Sequence, residues 1–373
     1  MQLSYVNLIN LDIYYLNLLC ITIFNLKYLA YQYIHILYIM DQYPIRIGYA
    51  CISTELRDYG IFTSRTLILK TANTKGIDHV KQLAMDNVDD LLKILIFNEA
   101  HGIRFFRISS CVFPHLGNPS LTGSDYGLDF VKDKLKIVGK YAKSCGHRLT
   151  MHPGQFCQLG SPNEKVVAQS FIDLTNHAKL LKMLGYTPAD NAVLIIHGGG
   201  TFGDKAATLT RWEENFLKLP IEVRQYISLE NDENGYSITD LLPFCEKLKI
   251  PFCVDLFHNR VSNDRVPITK KLMRRIFNTW HVRGMIPKMH ISEQQPGLRR
   301  GAHSKTINKL PEYVLRLPQM LRSPFDIMLE VKDKEQSVFK MYYKYFDIHT
   351  SPTGLVTYTL KPEYNNESKK IEK

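Results

Sequence analysis

The sequence predicts an α/β protein with a single (β/α)8 barrel domain. Three observations carry that reading. Eight short apolar runs alternate with longer segments of helical period from Ile45 onward. Several of the helical segments close on a glycine in C-cap position. No glycine fingerprint follows the first apolar run, which disfavours an open doubly wound sheet.

The predicted strands are 45–51, 103–109, 148–152, 193–197, 226–230, 252–255, 288–291 and 327–331. Predicted helices lie at 86–101 and 129–145, closed by Gly102 and Gly146, and at 164–184, closed by Gly185. Two more follow at 238–248 and 268–280. Strands separated by helices pair in parallel, and eight is the number that closes the barrel.

Composition sets the limits. A chain of 373 residues with 45% hydrophobic and 22% charged residues builds a sizeable core, which excludes disordered, collagen-like and small disulfide-stapled proteins. The 47 Lys and Arg against 36 Asp and Glu leave a net charge of +11, which favours an anionic partner. Ten basic and two acidic residues between Arg260 and Arg300 concentrate that charge. A stretch so dense in one sign is either a solvated helix face or a phosphate-binding footprint. The seven cysteines show no CxxC spacing, so they read as reduced thiols of an intracellular compartment, not as disulfides or a thiolate zinc site.

Residues 1–39 look foreign to the rest, being dominated by Leu, Ile, Tyr and Asn. Asp12 and Lys27 leave an uncharged run too short to span a bilayer, and there is no basic n-region or small-residue cleavage site for a secretory signal. We read this segment as a hydrophobic extension supplied by translated upstream DNA, with Met40 as the start. A membrane-associated helix and a structural extension are the competing readings. The barrel domain is expected over 40–345, and 346–373 as a C-terminal tail whose polar end, from Lys361, is disordered.

What ends each strand is more informative. His152, His197, Glu230, Asp255 with His258, His290 and Glu330 fall at the ends of six consecutive strands. In a (β/α)8 barrel these positions converge on the mouth where active sites sit. A lone strand-end histidine is usually structural, but clustered carboxylates need positive charge among them. Imidazole and carboxylate without thiolate suit Zn²⁺ or Mn²⁺, and so many ligands imply two or three ions. By contrast, His101 reads as a helix cap and His147, His177 and His281 as structural. The GxGxxG match at 198–203 follows the fourth strand and reads as a decoy, although its N–H groups suit a phosphate.

The motifs along the rim resemble those of the UV damage endonucleases, metal-dependent DNA repair enzymes on a TIM barrel related to endonuclease IV. The matching segments run in order: IGYAC (47–51), SRTL (64–67), FNEAHGIRFFRISS (97–110), MHPGQF (151–156), SPN (161–163) and LIIHGGG (194–200). SLEND (228–232), VDLFH (254–258), PKMHIS (287–292), GAHS (301–304) and MLEVKDKEQ (328–336) complete the series. The resemblance implies a metal set of His152, His197, Glu230, Asp255, His258, His290, His303 and Glu330; periodicity alone does not reach His303. It implies two or three divalent ions, Mn²⁺ foremost with Zn²⁺ or Mg²⁺ as alternatives. It also implies a monomeric enzyme that nicks damaged duplex DNA on the 5′ side of a lesion.

Glu230 and Lys288 are the expected catalytic residues, Glu230 as a bridging carboxylate. Lys288 lies two residues before His290, on the same strand face, where its amine either contacts phosphate or takes up carbon dioxide to become a ligand. Gln155 and Phe156, helped by Tyr49, are expected to probe the lesion, and Arg299, Arg300 and Lys334 to hold DNA. Two departures stand out. Asn118 replaces the usual ligand histidine after the second strand, with His115 as a substitute, and Phe156 stands where the family commonly has Tyr. The competing readings are an abasic-site endonuclease, a TIM-barrel sugar isomerase and a non-catalytic DNA-binding relic. Only the isomerase would lack strongly salt-dependent DNA binding.

Overall fold

A computed structural model describes residues 44–121 and 126–364. Eight parallel strands close into a barrel in chain order: β1 (Ile45–Ala50), β2 (Phe105–Ile108), β3 (Arg148–Met151), β4 (Leu194–His197), β5 (Ile227–Glu230), β6 (Phe252–Asp255), β7 (Lys288–Ile291) and β8 (Phe325–Leu329). β8 returns to β1 with Ile47 opposite Ile327. Every predicted strand is present, with ends displaced by at most two residues.

The strands alternate, with apolar residues on one face and buried polar ones such as Arg148, Thr150, Glu230, Lys288, His290 and Asp326 on the other. Ile47, Leu149, Leu194, Leu229, Val254, Met289 and Ile327 are buried against the helical layer or the interior. Gly48 is required on β1, since a Cβ there would lie 2.2 Å from the Phe105 carbonyl oxygen.

The helix Ile77–Ala100 starts nine residues before the predicted 86. Its buried line of Val80, Ala84, Val88, Leu91 and Leu95 has helical spacing, but Asp78, His79, Lys81 and Gln82 dilute the first two turns. Helices Lys205–Lys218, Glu312–Leu321 and Glu335–Tyr345 fill connections that the sequence reading left unassigned. Among the described residues no helix is long and apolar enough to cross a membrane.

The end of the barrel opposite the mouth is plugged by charge. Asp326 accepts from Arg46 Nε and Nη2, both at 2.7 Å, and from Arg148 Nη1 at 2.7 Å. Arg148 also reaches the carbonyls of Asn191 and Ile286, tying three strand entrances together.

The tail expected at 346–373 needs correction. Strands β9 (Phe346–Thr350) and β10 (Val356–Leu360) form an antiparallel hairpin on the domain. Tyr358 stacks on Tyr342 at 3.7 Å and its hydroxyl donates to the His101 carbonyl at 2.8 Å. The hairpin holds because Tyr358 packs on Tyr342 of the preceding helix, a contact that the tail's own sequence does not reveal. The extension 1–39, the expected start at Met40 and residues from 365 lie outside the described residues.

Candidate metal centre

Strand register assembles the site. His197 on β4 lies opposite Glu230 on β5, and Asp255 on β6 lies opposite His290 on β7. His152 directly follows β3, and Glu330 directly follows β8. Asp255 Oδ1 accepts from the His258 N–H at 2.7 Å, which starts the short helix Leu256–Val261 and turns His258 back to the mouth. His303 arrives on a loop, held by a bridge between Gln294 and His303.

Glu230 is the centre of the arrangement. Its Oε2 lies 3.0 Å from His152 Nε2 and 3.8 Å from His197 Nε2. Its Oε1 lies 2.7 Å from His290 Nδ1 and 3.8 Å from His258 Nδ1. His290 Nδ1 is also 3.2 Å from Glu330 Oε1. Two groups bring donor atoms within 4.8 Å of one another: His152, His197 and Glu230, and Glu230, Asp255, His290 and Glu330. Glu230 belongs to both, as a bridging ligand must.

The donor atoms themselves call for cations. His152 spends its one neutral-state proton on the Pro153 carbonyl at 3.0 Å, because burial holds its pKa down at about 4. Its Nε2 lone pair therefore confronts the Glu230 carboxylate, a contact that repels unless a cation sits between. A second confrontation lies across the mouth. His258 Nδ1 donates to the Asn231 carbonyl and His303 Nδ1 to the Glu330 carbonyl, each at 2.9 Å. The two Nε2 atoms then face each other at 3.3 Å and need a proton or a metal. Asp255 Oδ2 and His290 Nε2 are buried with no hydrogen-bond partner. The residues fit divalent ions.

Charge balance says the same. Burial opposes ionisation of Glu230, yet His290 and His197 hold its pKa well below the usual range. Burial and the charges of Glu230 and Glu330 push Asp255 up. Arg107 pairs with Glu330 and, with His290, keeps it ionised against burial. Arg107 was absent from the sequence reading; its position at the end of β2, inside the matching FRISS segment, was the signal available. Buried Lys288 has its pKa lowered to about 8 by burial and by Arg107 and Arg148, with its Nζ 3.3 Å from Thr150 Oγ1. The site opens into a cavity of about 560 Å³ lined by His197, Gly199, Gly200, Glu233, His258 and His303.

A family model described as "UV-endonuclease UvdE" matches residues 45–358. The chain belongs to this UV-endonuclease family. A protein of Acanthamoeba polyphaga mimivirus, provisionally named a UV-damage endonuclease, is 63% identical over 326 residues, covering 87% of this chain and 99% of the relative. The UV-damage endonuclease of Schizosaccharomyces pombe is 38% identical over 337 residues, covering 86% of this chain and 53% of the relative, so this chain spans about half of that protein. The solved structure titled SacUVDE matches with a TM-score of 0.69 at 32% identity, over 79% of this chain and 96% of the other. Membership makes the chain an endonuclease of the UV-damage class, on a TIM barrel.

Around the centre of this UV endonuclease, several sequence expectations need correction. Tyr49 is wholly buried and its hydroxyl donates to Asn98 Oδ1 at 2.6 Å, so it packs against the helix Ile77–Ala100 and is not presented at the surface. Asn118 is not brought to the metal cluster. Its Oδ1 accepts from the Ser120 N–H at 2.9 Å, the local turn an Asx residue favours. His115 Nε2 donates to the Leu67 carbonyl at 2.6 Å, and both residues line a neighbouring groove. The basic stretch is also dispersed. Arg275 pairs with Glu246 on an outer helix, Arg283 reaches the Lys249 and Gln225 carbonyls, and Lys288 is buried. Arg260 lies in the short helix Leu256–Val261, and Arg265, Arg299 and Arg300 lie on loops that follow β6 and β7 on the mouth side.

Other expectations are met in position. Gln155 and Phe156 are exposed beside His152, Phe156 at 79%. Lys334, close to Glu330, adopts a left-handed φ of 50°. His101 and His177 are bonded locally to the Phe97 and Asp173 carbonyls, while His281 bonds Ser323 and His147 bonds Glu99.

Proposed function

We propose that this chain nicks duplex DNA on the 5′ side of UV photoproducts and other helix-distorting lesions by multi-metal phosphodiester hydrolysis. The observation that carries the reading is the doubly shared Glu230 carboxylate between two converging donor groups. His152, His197 and Glu230 would hold one ion, and Glu230, Asp255, His290 and Glu330 would hold another; His258 and His303 would offer a third position. Divalent ions held there, Mn²⁺ in first place, would activate water near neutral pH and offset the negative charge of the scissile phosphate.

The chain's own residues do the rest. Glu230 fixes the spacing of the ions, and the Asn231 and Glu330 carbonyls lock the His258 and His303 rings. Arg107 keeps Glu330 ionised and oriented. Lys288 lies against the centre as a buried amine of lowered basicity, suited to phosphate contact or to conversion into a carbamate ligand. Arg299, Arg300 and Lys334 hold the backbone without reading sequence, as damage recognition requires. Phe156 supports a wedge role, because an exposed ring beside the rim is free to stack on bases.

The test is a nicking assay on a dimer-containing duplex with Mn²⁺, Mg²⁺, Zn²⁺ or EDTA. We expect incision with metal, none with EDTA, and loss of at least 100-fold in Glu230→Gln with an unchanged thermal melt. Normal nicking by Glu230→Gln would sink the assignment.

A further inference from the structure

Phe156 is not the only apolar side chain held out at the mouth. Leu298 is 55% exposed in the middle of Pro296-Gly297-Leu298-Arg299-Arg300, a run whose five members are all exposed. The loop follows β7, four strands around the barrel from the β3 exit that carries Phe156. The two therefore leave the rim on opposite sides of the metal centre. Both follow a Pro-Gly pair, and Gly297 takes a φ of 74° to make the turn.

The loop is built to hold its shape. Gln294 Nε2 donates to the Arg299 carbonyl at 2.9 Å, and Gln294 Oε1 accepts from the Gly301 N–H at 2.9 Å. The Gln295 N–H donates to the Ala302 carbonyl at 2.8 Å, and Gln295 Oε1 accepts from the Lys305 N–H at 2.7 Å. At its base stands His303, and a Cβ on Gly301 would fall 2.9 Å from the Glu233 carboxylate that lines the same cavity. Arg300 is steadied by Asn263 Oδ1 at 2.6 Å. Ordering a loop in order to expose a leucine costs conformational entropy and gains no burial within the chain. An apolar side chain presented this way, with two arginines beside it, matches a wedge that enters between base steps while its neighbours hold phosphates.

We propose that Leu298 is a second wedge, inserted into the damaged duplex from the side opposite Phe156; this rests on the DNA-nicking reading above. Leu298 lies five residues from His303, so an extended chain keeps it within about 17 Å of that ligand. At 3.4 Å per base pair the insertion falls within about five base pairs of the scissile phosphate. Two wedges astride the centre would hold the duplex open at a lesion, where stacking is already weak.

The experiment uses the full chain with Mn²⁺, a dimer-containing duplex and 2-aminopurine reporters placed up to five steps either side of the lesion. Leu298→Ala and Leu298→Ser should raise KM about tenfold with little change in kcat. They should also remove the fluorescence rise at reporters on one side of the lesion, while Leu298→Met restores both. On a duplex already unpaired at those steps, the Ala variant should match wild type. Wild-type KM and fluorescence in Leu298→Ala would overturn the wedge while leaving the endonuclease reading intact. A wild-type protein that neither incises nor binds the damaged duplex would overturn that reading, and the wedge with it.

Discussion

At the residue scale, the centre depends on groups placed where they are individually unfavourable. Lys288 is an ammonium in a buried chamber, against Phe105 and next to no carboxylate within bonding distance among its described partners. Burying a charge without a paired anion costs stability. Lys288→Met keeps the volume and removes that cost. Its melting temperature should therefore rise or hold while incision falls at least tenfold, and unchanged incision would remove Lys288 from the site. Phe156 is the reverse case, a ring with little to lose on truncation. Phe156→Ala should cost about 1–3 kcal/mol in damaged-duplex binding and leave the melt unchanged. A melt lowered by many degrees would place the ring in the core instead.

At the element scale, the helix Ile77–Ala100 ends on a buried charge cluster. Glu99 accepts from Arg104 Nε at 2.9 Å and Nη2 at 3.1 Å, with His147 Nε2 at 3.2 Å. Burial alone would raise the Glu99 pKa, but His147 and Arg104 more than offset it and bring it to about 2. Its folded pKa thus lies below the unfolded value near 4.5. The stability it contributes is present above that unfolded value and is lost as pH falls toward 2, on the order of 3 kcal/mol. Glu99→Gln should melt well below wild type at pH 7, with the gap closing as pH drops from about 4.5 to 2. A gap independent of pH would show that the loss comes from packing.

At the scale of the whole molecule, the electrostatic footprint is narrower than the sequence suggested. With Arg275 and Arg283 engaged elsewhere, the short helix Leu256–Val261 carries Arg260, the mouth loops carry Arg265, Arg299 and Arg300, and Lys334 lies near Glu330. Each phosphate contact contributes a slope of about −0.9 in log K against log salt. Replacing Arg299 and Arg300 together by Ala should shallow the slope by about 2 and weaken damaged and undamaged duplex alike. A loss confined to damaged DNA would mean that the pair reads the lesion rather than the backbone.

The sequence by itself determined the barrel and brought most of the candidate metal-binding residues to one rim. Strand-forming apolar runs are local, and a residue at the end of a parallel strand can face only one mouth, so His152, His197, Glu230, Asp255 and His290 followed from order alone. Only the tertiary structure decided the rest, because register and long-range contact have no local signature. Nothing near Glu230 in the chain states that four histidines converge on it. His303 needed the loop that folds back beside His258, and Arg107 needed Glu330, which is 223 residues away. Tyr49 and Asn118 went astray for the same reason: one is drawn inward by Asn98 and the other turned by its own neighbour Ser120. The basic stretch was dispersed because its members fall on different elements: Lys270, Lys271, Arg274 and Arg275 on the exposed face of one outer helix, Arg283 on a turn and Lys288 inside a strand.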